Sequence, residues 1–343
     1  MDIIKTSIHR INHLSEEVIE IQITKDHDSL NEYMKNLFLE IEETQSKRLF
    51  TFQQEESKIR SAINFMLNND FEKGSKINAK RLLDVEIKAQ KQIEKLNIKI
   101  QKGIFIQSHL KDSNNKAKIV LTKADHSQFL DETELTFRDG LPSRRKIFKA
   151  IIISFDQSCV ESIHICDTNS SMAAYWWRDF LELKPVYTDS YNTKTSLDII
   201  DTKVFNPIKN KFKADHTTLR NSAIGYFRNH DEFDIDGFVD HVFTNYMPVD
   251  KALDIGQLSD KVKELPQKFN FDARFNIEKA EIIQRRVKET MKLHDSVDLV
   301  LNDHIDNLSD IIQPWEDDEG TKYIKIKSDE GYARFRCRDK NEQ

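Results

Sequence analysis

Glycine and proline are scarce, at eight and six in 343 residues. So few turn formers argue against collagen-like repeats, glycine-rich phosphate loops and an all-β fold built on tight turns. Three cysteines, Cys159, Cys166 and Cys337, cannot all pair within one chain, and their spacing matches no zinc motif. A reducing compartment is expected. Long apolar runs are missing as well. Runs such as Ala150 to Ile153 are far short of the about 20 residues that span a bilayer. Residues 1–10 lack the apolar core of a secretory signal. These absences lead us to expect a soluble, cytoplasmic chain with no membrane partner. No phosphate-loop, dinucleotide, serine-elbow or HExxH pattern occurs.

What is present suffices for a packed core. Hydrophobic residues make up 38% of the chain against 32% charged, and the formal net charge is only −6, outside the disordered regime. The length suggests two domains. Alternation over Ile4–Ile11 and Val18–Ile23 predicts two strands, and helical periodicity follows around Leu30–Thr44, Glu55–Leu67 and Ala79–Gln101. Gly103 is placed to end the last of these. Two hairpins are expected next, Ile104–Leu110 with Ala117–Thr122 and Ile147–Phe155 with Val160–Cys166, joined by a long connection from Lys123 to Arg144. Helices are predicted for Met172–Leu183, Thr193–Val204, Asp215–Phe227, Asp234–Thr244 and Val249–Leu265. Strands are predicted for Ile282–Val287, Val297–Leu301, and a final hairpin of Ile311–Trp315 with Tyr323–Lys327. The expected architecture is α+β. Residues 1–186 form an antiparallel sheet of hairpins packed on helices, 187–330 a mainly helical domain ending in a small sheet, and 331–343 a basic tail.

Charge is sorted into blocks. Residues 71–149 carry a net +8 and 203–228 a net +5, whereas 15–57 carry −7 and 295–319 carry −9. Lys88, Lys91, Lys95, Lys99 and Lys102 recur at spacings of three and four, which a helix would gather into one cationic stripe. Ala89, Ile93, Leu96 and Ile100 would make its apolar face. Arg144, Arg145 and Lys146 form a second cluster, and Lys209, Lys211 and Lys213 a third. Basic groups so arranged fit a phosphate backbone, although a solvated lysine face is the commoner use of such a stripe.

Signals for chemistry are weak. His164 and Cys166 alternate on a strand without a full ligand set, and Asp125–His126 and Asp215–His216 read more simply as turn or cap residues. The aspartates from Asp295 to Asp310 do not fit a calcium loop. Asp70 with Glu86 and Lys88 superficially matches a magnesium-nuclease pattern, but Glu86 and Lys88 fall in a helical stretch and point to different faces. We expect no catalytic residues, no metal and no cofactor. Tyr175, Trp176, Trp177 and Phe180 crowd one short segment, more aromatic surface than one helix side needs, so one face is a candidate for pairing with a second copy.

The passages SIHRINHLSEEVIEIQ, GIFIQSHLKDSNNKAKIVLTKADHSQFL and LPSRRKIFKAIIISF, with the late FNFDARFNIEKAEIIQRRVKETMKLHDSVDLVLN and TKYIKIKS, resemble the bacterial nucleoid-associated family called NdpA-like or YejK-like. The likeness runs over roughly residues 1 to 330 in segment order and apolar texture. It implies a cytoplasmic protein of the bacterial nucleoid that binds DNA, expected to be double-stranded, by phosphate contacts with little base readout. The rival readings are an anti-phage defence or regulatory component acting through protein partners, and a metal-dependent nuclease.

Overall fold

The computed structural model describes residues 2–23, 28–68, 70–94, 99–131, 133–142, 148–157, 159–169 and 172–336. The chain folds as two units. The first holds residues 1–192 and takes in 232–236 and 266–276; the second holds the remainder.

In chain order the first unit contains β1 (Asp2–Asn12), β2 (Glu17–Glu20), α1 (Asp28–Glu43), β3 (Arg48–Phe52), α2 (Lys58–Leu67) and α3 (Phe71–Ile93). There follow β4 (Gly103–Lys111), β5 (Ala117–Asp125), β6 (Ser127–Asp131), β7 (Thr136–Gly140), β8 (Phe148–Asp156) and β9 (Cys159–Asp167). A π-helical turn, Tyr175–Phe180, and β10 (Leu183–Pro185) complete the series. Eight strands make one sheet in the order β10-β3-β9-β8-β5-β4-β1-β2, with every neighbouring pair antiparallel. Both faces of this sheet are covered. Ile119, Leu121, Ile151 and Ile153 point to the core shared with α2, α3 and the π turn. Val120, Ala124, Ala150 and Ile152 point to the core shared with α1. A strand buried on both sides cannot alternate apolar with polar, which explains the run Ala150–Ile153.

Local chemistry places several boundaries. Ser57 caps α2, its Oγ accepting from the Arg60 amide at 3.2 Å. Asp112 closes the β4–β5 turn by accepting from the amides of Asn114 (2.8 Å) and Lys116 (2.9 Å). Gly103 does not end a helix: it opens β4, where a Cβ would lie 2.2 Å from the carbonyl oxygen of Ala124. The glycine is needed for strand contact. Likewise α3 begins at Phe71, eight residues before the expected start, because Phe71, Gly74, Ser75 and Asn78 are already buried.

The expected connection Lys123–Arg144 contains the β6–β7 hairpin, which pairs only with itself. The aromatic segment is a π turn. Its Leu181 amide bonds the Trp176 carbonyl five residues back at 3.0 Å, and Trp176, Phe180 and Leu181 are all buried in the core.

Beyond the first unit's main series come α4 (Asp189–Ile200), α5 (Lys213–Asn229), β11 (Glu232–Asp234), α6 (Ile235–Val239), α7 (Ile255–Phe269), β12 (Arg274–Asn276) and α8 (Gln284–Val287). The chain closes with β13 (Glu289–His294), β14 (Val297–Leu301), α9 (Leu308–Ile311), β15 (Ile312–Glu316), β16 (Lys322–Ile326) and α10 (Asp329–Phe335). The second unit centres on α5, whose Leu219, Ala223 and Phe227 are buried, and it carries the hairpins β13–β14 and β15–β16. Mixed α+β is thus the observed class. The expected strand Ile282–Val287 is instead a loop and the one-turn α8. The Arg220 guanidinium takes the carbonyls of Arg286 (3.0 Å) and Val287 (2.9 Å), which a strand would have needed for its ladder.

Candidate nucleic-acid interface

The lysine stripe is broken by the end of α3. Only Lys88 and Lys91 lie on that helix; Lys99 and Lys102 follow it in the extended approach to β4. Lys95 and Leu96 lie outside the described residues, as do Arg144, Arg145 and Lys146. The continuous helix expected through Gln101 is therefore corrected. The Ile100 amide donates to Gln90 Oε1 at 2.8 Å, where the chain has left the helix and returned beside its last turn.

That return builds a cleft of about 790 Å³, lined by His13, Gln90, Lys99, Lys102, His126 and Asp139 among others. Lys88, Lys91, Lys99 and Lys102 are all exposed. Burial holds the His126 imidazole below its ordinary pKa, with Asp139 opposing and Arg10 and Lys123 assisting. Around this one opening stand two ammonium groups, of Lys99 and Lys102, two carboxylates, of Glu94 and Asp139, and imidazole and amide side chains, so the lining is polar and balanced in charge.

Beneath this region is a charge cluster that sequence reasoning missed. The register sets Lys123 of β5 opposite Lys149 of β8, and Lys149 opposite Asp167 of β9. Lys123 is fully buried. Its Nζ donates to Glu86 Oε1 of α3 at 2.5 Å and to the Gln101 carbonyl at 2.7 Å, and lies 3.9 Å from Asp125 Oδ1. Lys149 Nζ reaches Asp125 Oδ2 at 3.2 Å, and His13 Nδ1 is 3.7 Å from Glu86 Oε2. Burial works to raise the Glu86 pKa, but the Lys123 ammonium and the neighbouring His13 overcome it and hold the carboxyl below its ordinary value. For Asp125 burial wins over Lys149 and Lys123, and its pKa is raised. The signal was available: Lys123 and Asp125 continue the Ile119–Leu121 alternation, so a strand read past Thr122 puts both on the core face.

The nuclease pattern is not assembled. Glu86 is inside, committed to Lys123, while Lys88 faces solvent and Asp70 is half-exposed. Cys166 is buried on the α1 side, with burial pushing its thiol up to about 12. Among the described residues no cluster of three or more His, Cys, Asp or Glu side chains could hold a metal ion.

The third basic group divides. Lys209 pairs with Glu289 at 3.5 Å, Lys211 lies over the Phe212 ring at 4.7 Å, and Lys213 is exposed at the start of α5. Asp215 is a structural acceptor for Tyr246 Oη and the Val249 amide, both at 2.7 Å.

The proposed pairing aromatics are committed within the first unit. Phe105 packs edge-on to Trp176 (6.2 Å) and Phe180 (5.7 Å), and Trp177 lies 5.5 Å from Phe50. Tyr175 packs against the same core. Trp176 and Phe180 are fully buried in this core, while Tyr175 and Trp177 pack against it and remain partly exposed.

The candidate site is thus a polar cleft with exposed lysines at and beside it, above a buried ion-pair cluster. Residues 7–332 match the family described as nucleoid-associated protein YejK, and the chain belongs to that family. No curated protein and no solved structure matches it. No helix among the described residues is long and apolar enough to cross a membrane.

Proposed function

We propose that the chain binds DNA in the bacterial nucleoid through its phosphates, without catalysis and with little base readout. The observation that carries this reading is the family match across residues 7–332. The exposed Lys88, Lys91, Lys99 and Lys102 supply the surface: the first two on the end of α3, the others at the cleft. Ammonium groups at such positions displace condensed counterions and recognise charge rather than sequence. The buried Glu86–Lys123 pair contributes nothing to that exterior charge, since the two cancel.

A salt series tests the reading. Log affinity for duplex DNA is expected to fall linearly with log salt, each phosphate contact adding a slope of about −0.9. Replacing Lys91, Lys99 and Lys102 together by Gln should weaken binding alike for all sequences and reduce the slope by about three such contacts. A folded triple variant with the parent slope removes these lysines from the interface. With magnesium or manganese, linear, circular and single-stranded DNA should all remain intact. Cleavage abolished by Glu86→Gln would overturn the non-catalytic reading.

A further inference from the structure

Residues 99–102 belong to no helix and no strand: α3 ends at Ile93, and the β4–β5 ladder begins with Gly103 opposite Asp125. Lys99, Gln101 and Lys102 are exposed along this stretch, and Ile100 is half-buried. Backbone outside secondary structure has no ladder for its amides and carbonyls, so other groups must hold it. Two side chains do. Gln90 Oε1 of α3 accepts from the Ile100 amide at 2.8 Å, and Lys123 Nζ of β5 donates to the Gln101 carbonyl at 2.7 Å. The β5 end adds a backbone tie, the His126 amide donating to the Lys102 carbonyl at 2.8 Å.

Stability alone does not account for the Lys123 ammonium. Fully buried against Glu86, it gains little over an apolar pair of the same volume. What an apolar pair cannot supply is the bond to Gln101. The ammonium has three N–H groups, and besides Glu86 one of them serves this surface backbone. β5 has four strands on one side in the sheet and three on the other, so Lys123 ties the wall of the cleft to the middle of the fold. It does so without adding exterior charge, since Glu86 cancels its own.

We propose that Lys123 and Gln90 are positioning residues, which hold residues 99–102 in the conformation in which Lys99 and Lys102 meet DNA phosphates. The inference rests on the phosphate reading above and names what sets the geometry of that contact. Charge and positioning leave different signatures. Deleting a lysine at a phosphate lowers both affinity and salt slope, because fewer counterions are released. Loosening the segment keeps the charges and therefore the slope. It lowers affinity at every salt concentration, because binding must then order the backbone and two long side chains.

The test is the double change Glu86→Leu with Lys123→Met, which conserves net charge and removes the donor to Gln101. Hydrogen exchange of the DNA-free chain should show lost protection at the Ile100 and His126 amides. Duplex affinity should fall about tenfold at each salt concentration, with the parent slope. Gln90→Ala leaves the buried ion pair in place and should lose protection at Ile100, with a smaller loss of affinity and again the parent slope. Ile41→Ala, a core truncation on the other face of the sheet, should lower stability and leave these two amides and the DNA affinity unchanged. Parent-like protection in both the double variant and Gln90→Ala overturns the proposal. So does lost protection with parent affinity, and Lys99→Gln with Lys102→Gln then separates the causes. Weaker binding in that pair means that the lysines act without the ties; unchanged binding means that the phosphate reading itself fails at these residues.

Discussion

The Lys123 side chain is shut off from bulk solvent, so the protein must supply partners for its ammonium. Glu86 Oε1 at 2.5 Å and the Gln101 carbonyl at 2.7 Å do this, with Asp125 at 3.9 Å adding a weaker field. The net worth of such a pair against an apolar pair of the same shape is small, because two desolvation penalties offset the attraction. Removing one partner is different: it leaves a charge stranded in the core. Lys123→Met or Glu86→Leu alone should therefore cost about 3–5 kcal/mol in urea unfolding, whereas the double replacement should cost much less than the sum. Additive losses would mean that the two side chains do not interact in solution. The same reasoning separates the residues at this site by task. Lys123 and Lys149 spend their charge inside the fold, whereas Lys88, Lys91, Lys99 and Lys102 stand exposed.

Among the elements, those that carry their own periodicity were legible in the sequence. The strands β1, β4, β5, β8 and β9, the helices α1, α2 and α5, and the closing β15–β16 hairpin all lie close to where alternation or 3.6-residue spacing puts them. The failures share a physical cause: tertiary contacts decided them. β3 is five residues, Arg48–Phe52, held between β9 and β10; Phe50, Thr51 and Phe52 favour a strand, but so short a run does not stand out between the helical patterns on either side. β6 and β7 are polar and short, and their apolar side chains point to solvent, so no buried stripe marks them. The end of α3 was overrun because the lysine spacing continues helically past Ile93, while the backbone turns to deliver residues 99–102 to β4. This last error matters most for the site. A helical stripe would have made one line of charge, and the real chain makes a helix end and a cleft wall. Two of the five stripe lysines and none of the arginine-rich cluster could be tied to a place by periodicity alone.

For the whole molecule, the sorting of charge was legible and its pairing was not. The blocks at 71–149 and 203–228 are basic in sequence, yet part of the second block's excess is cancelled by carboxylates outside it, Lys209 by Glu289 and Arg220 by Asp201. The excess that remains on the first unit is the exterior lysines, and the same distribution sets the response to acid. Burial lowers the pKa of His9, His109, His126 and His164 in the first unit, and of His216 and His241 in the second. A histidine whose folded pKa is depressed binds more protons when unfolded, so its contribution is fully present above the unfolded value of about 6.5 and is lost as pH falls below it. Each can contribute a slope of at most about 1.4 kcal/mol per pH unit. Asp272 acts the other way. Burial, against the Leu49 amide, Asn192 and Arg48, raises it from 3.8 to about 6, so its contribution declines as pH rises between those values and is constant above them. Asp125, raised by burial as well, acts in the same direction, and six histidines outweigh two aspartates. The melting temperature should therefore be highest and nearly flat above pH 7, then fall as pH drops from 6.5 toward 5, and Asp272→Asn should steepen that fall by removing one opposing group. Thermal unfolding across pH 5 to 8 checks this, with protons taken up on unfolding at pH 6 read by calorimetry in buffers of different ionisation heat. A melting temperature that rises on acidification over this range would show that carboxylates, not the buried imidazoles, govern the balance.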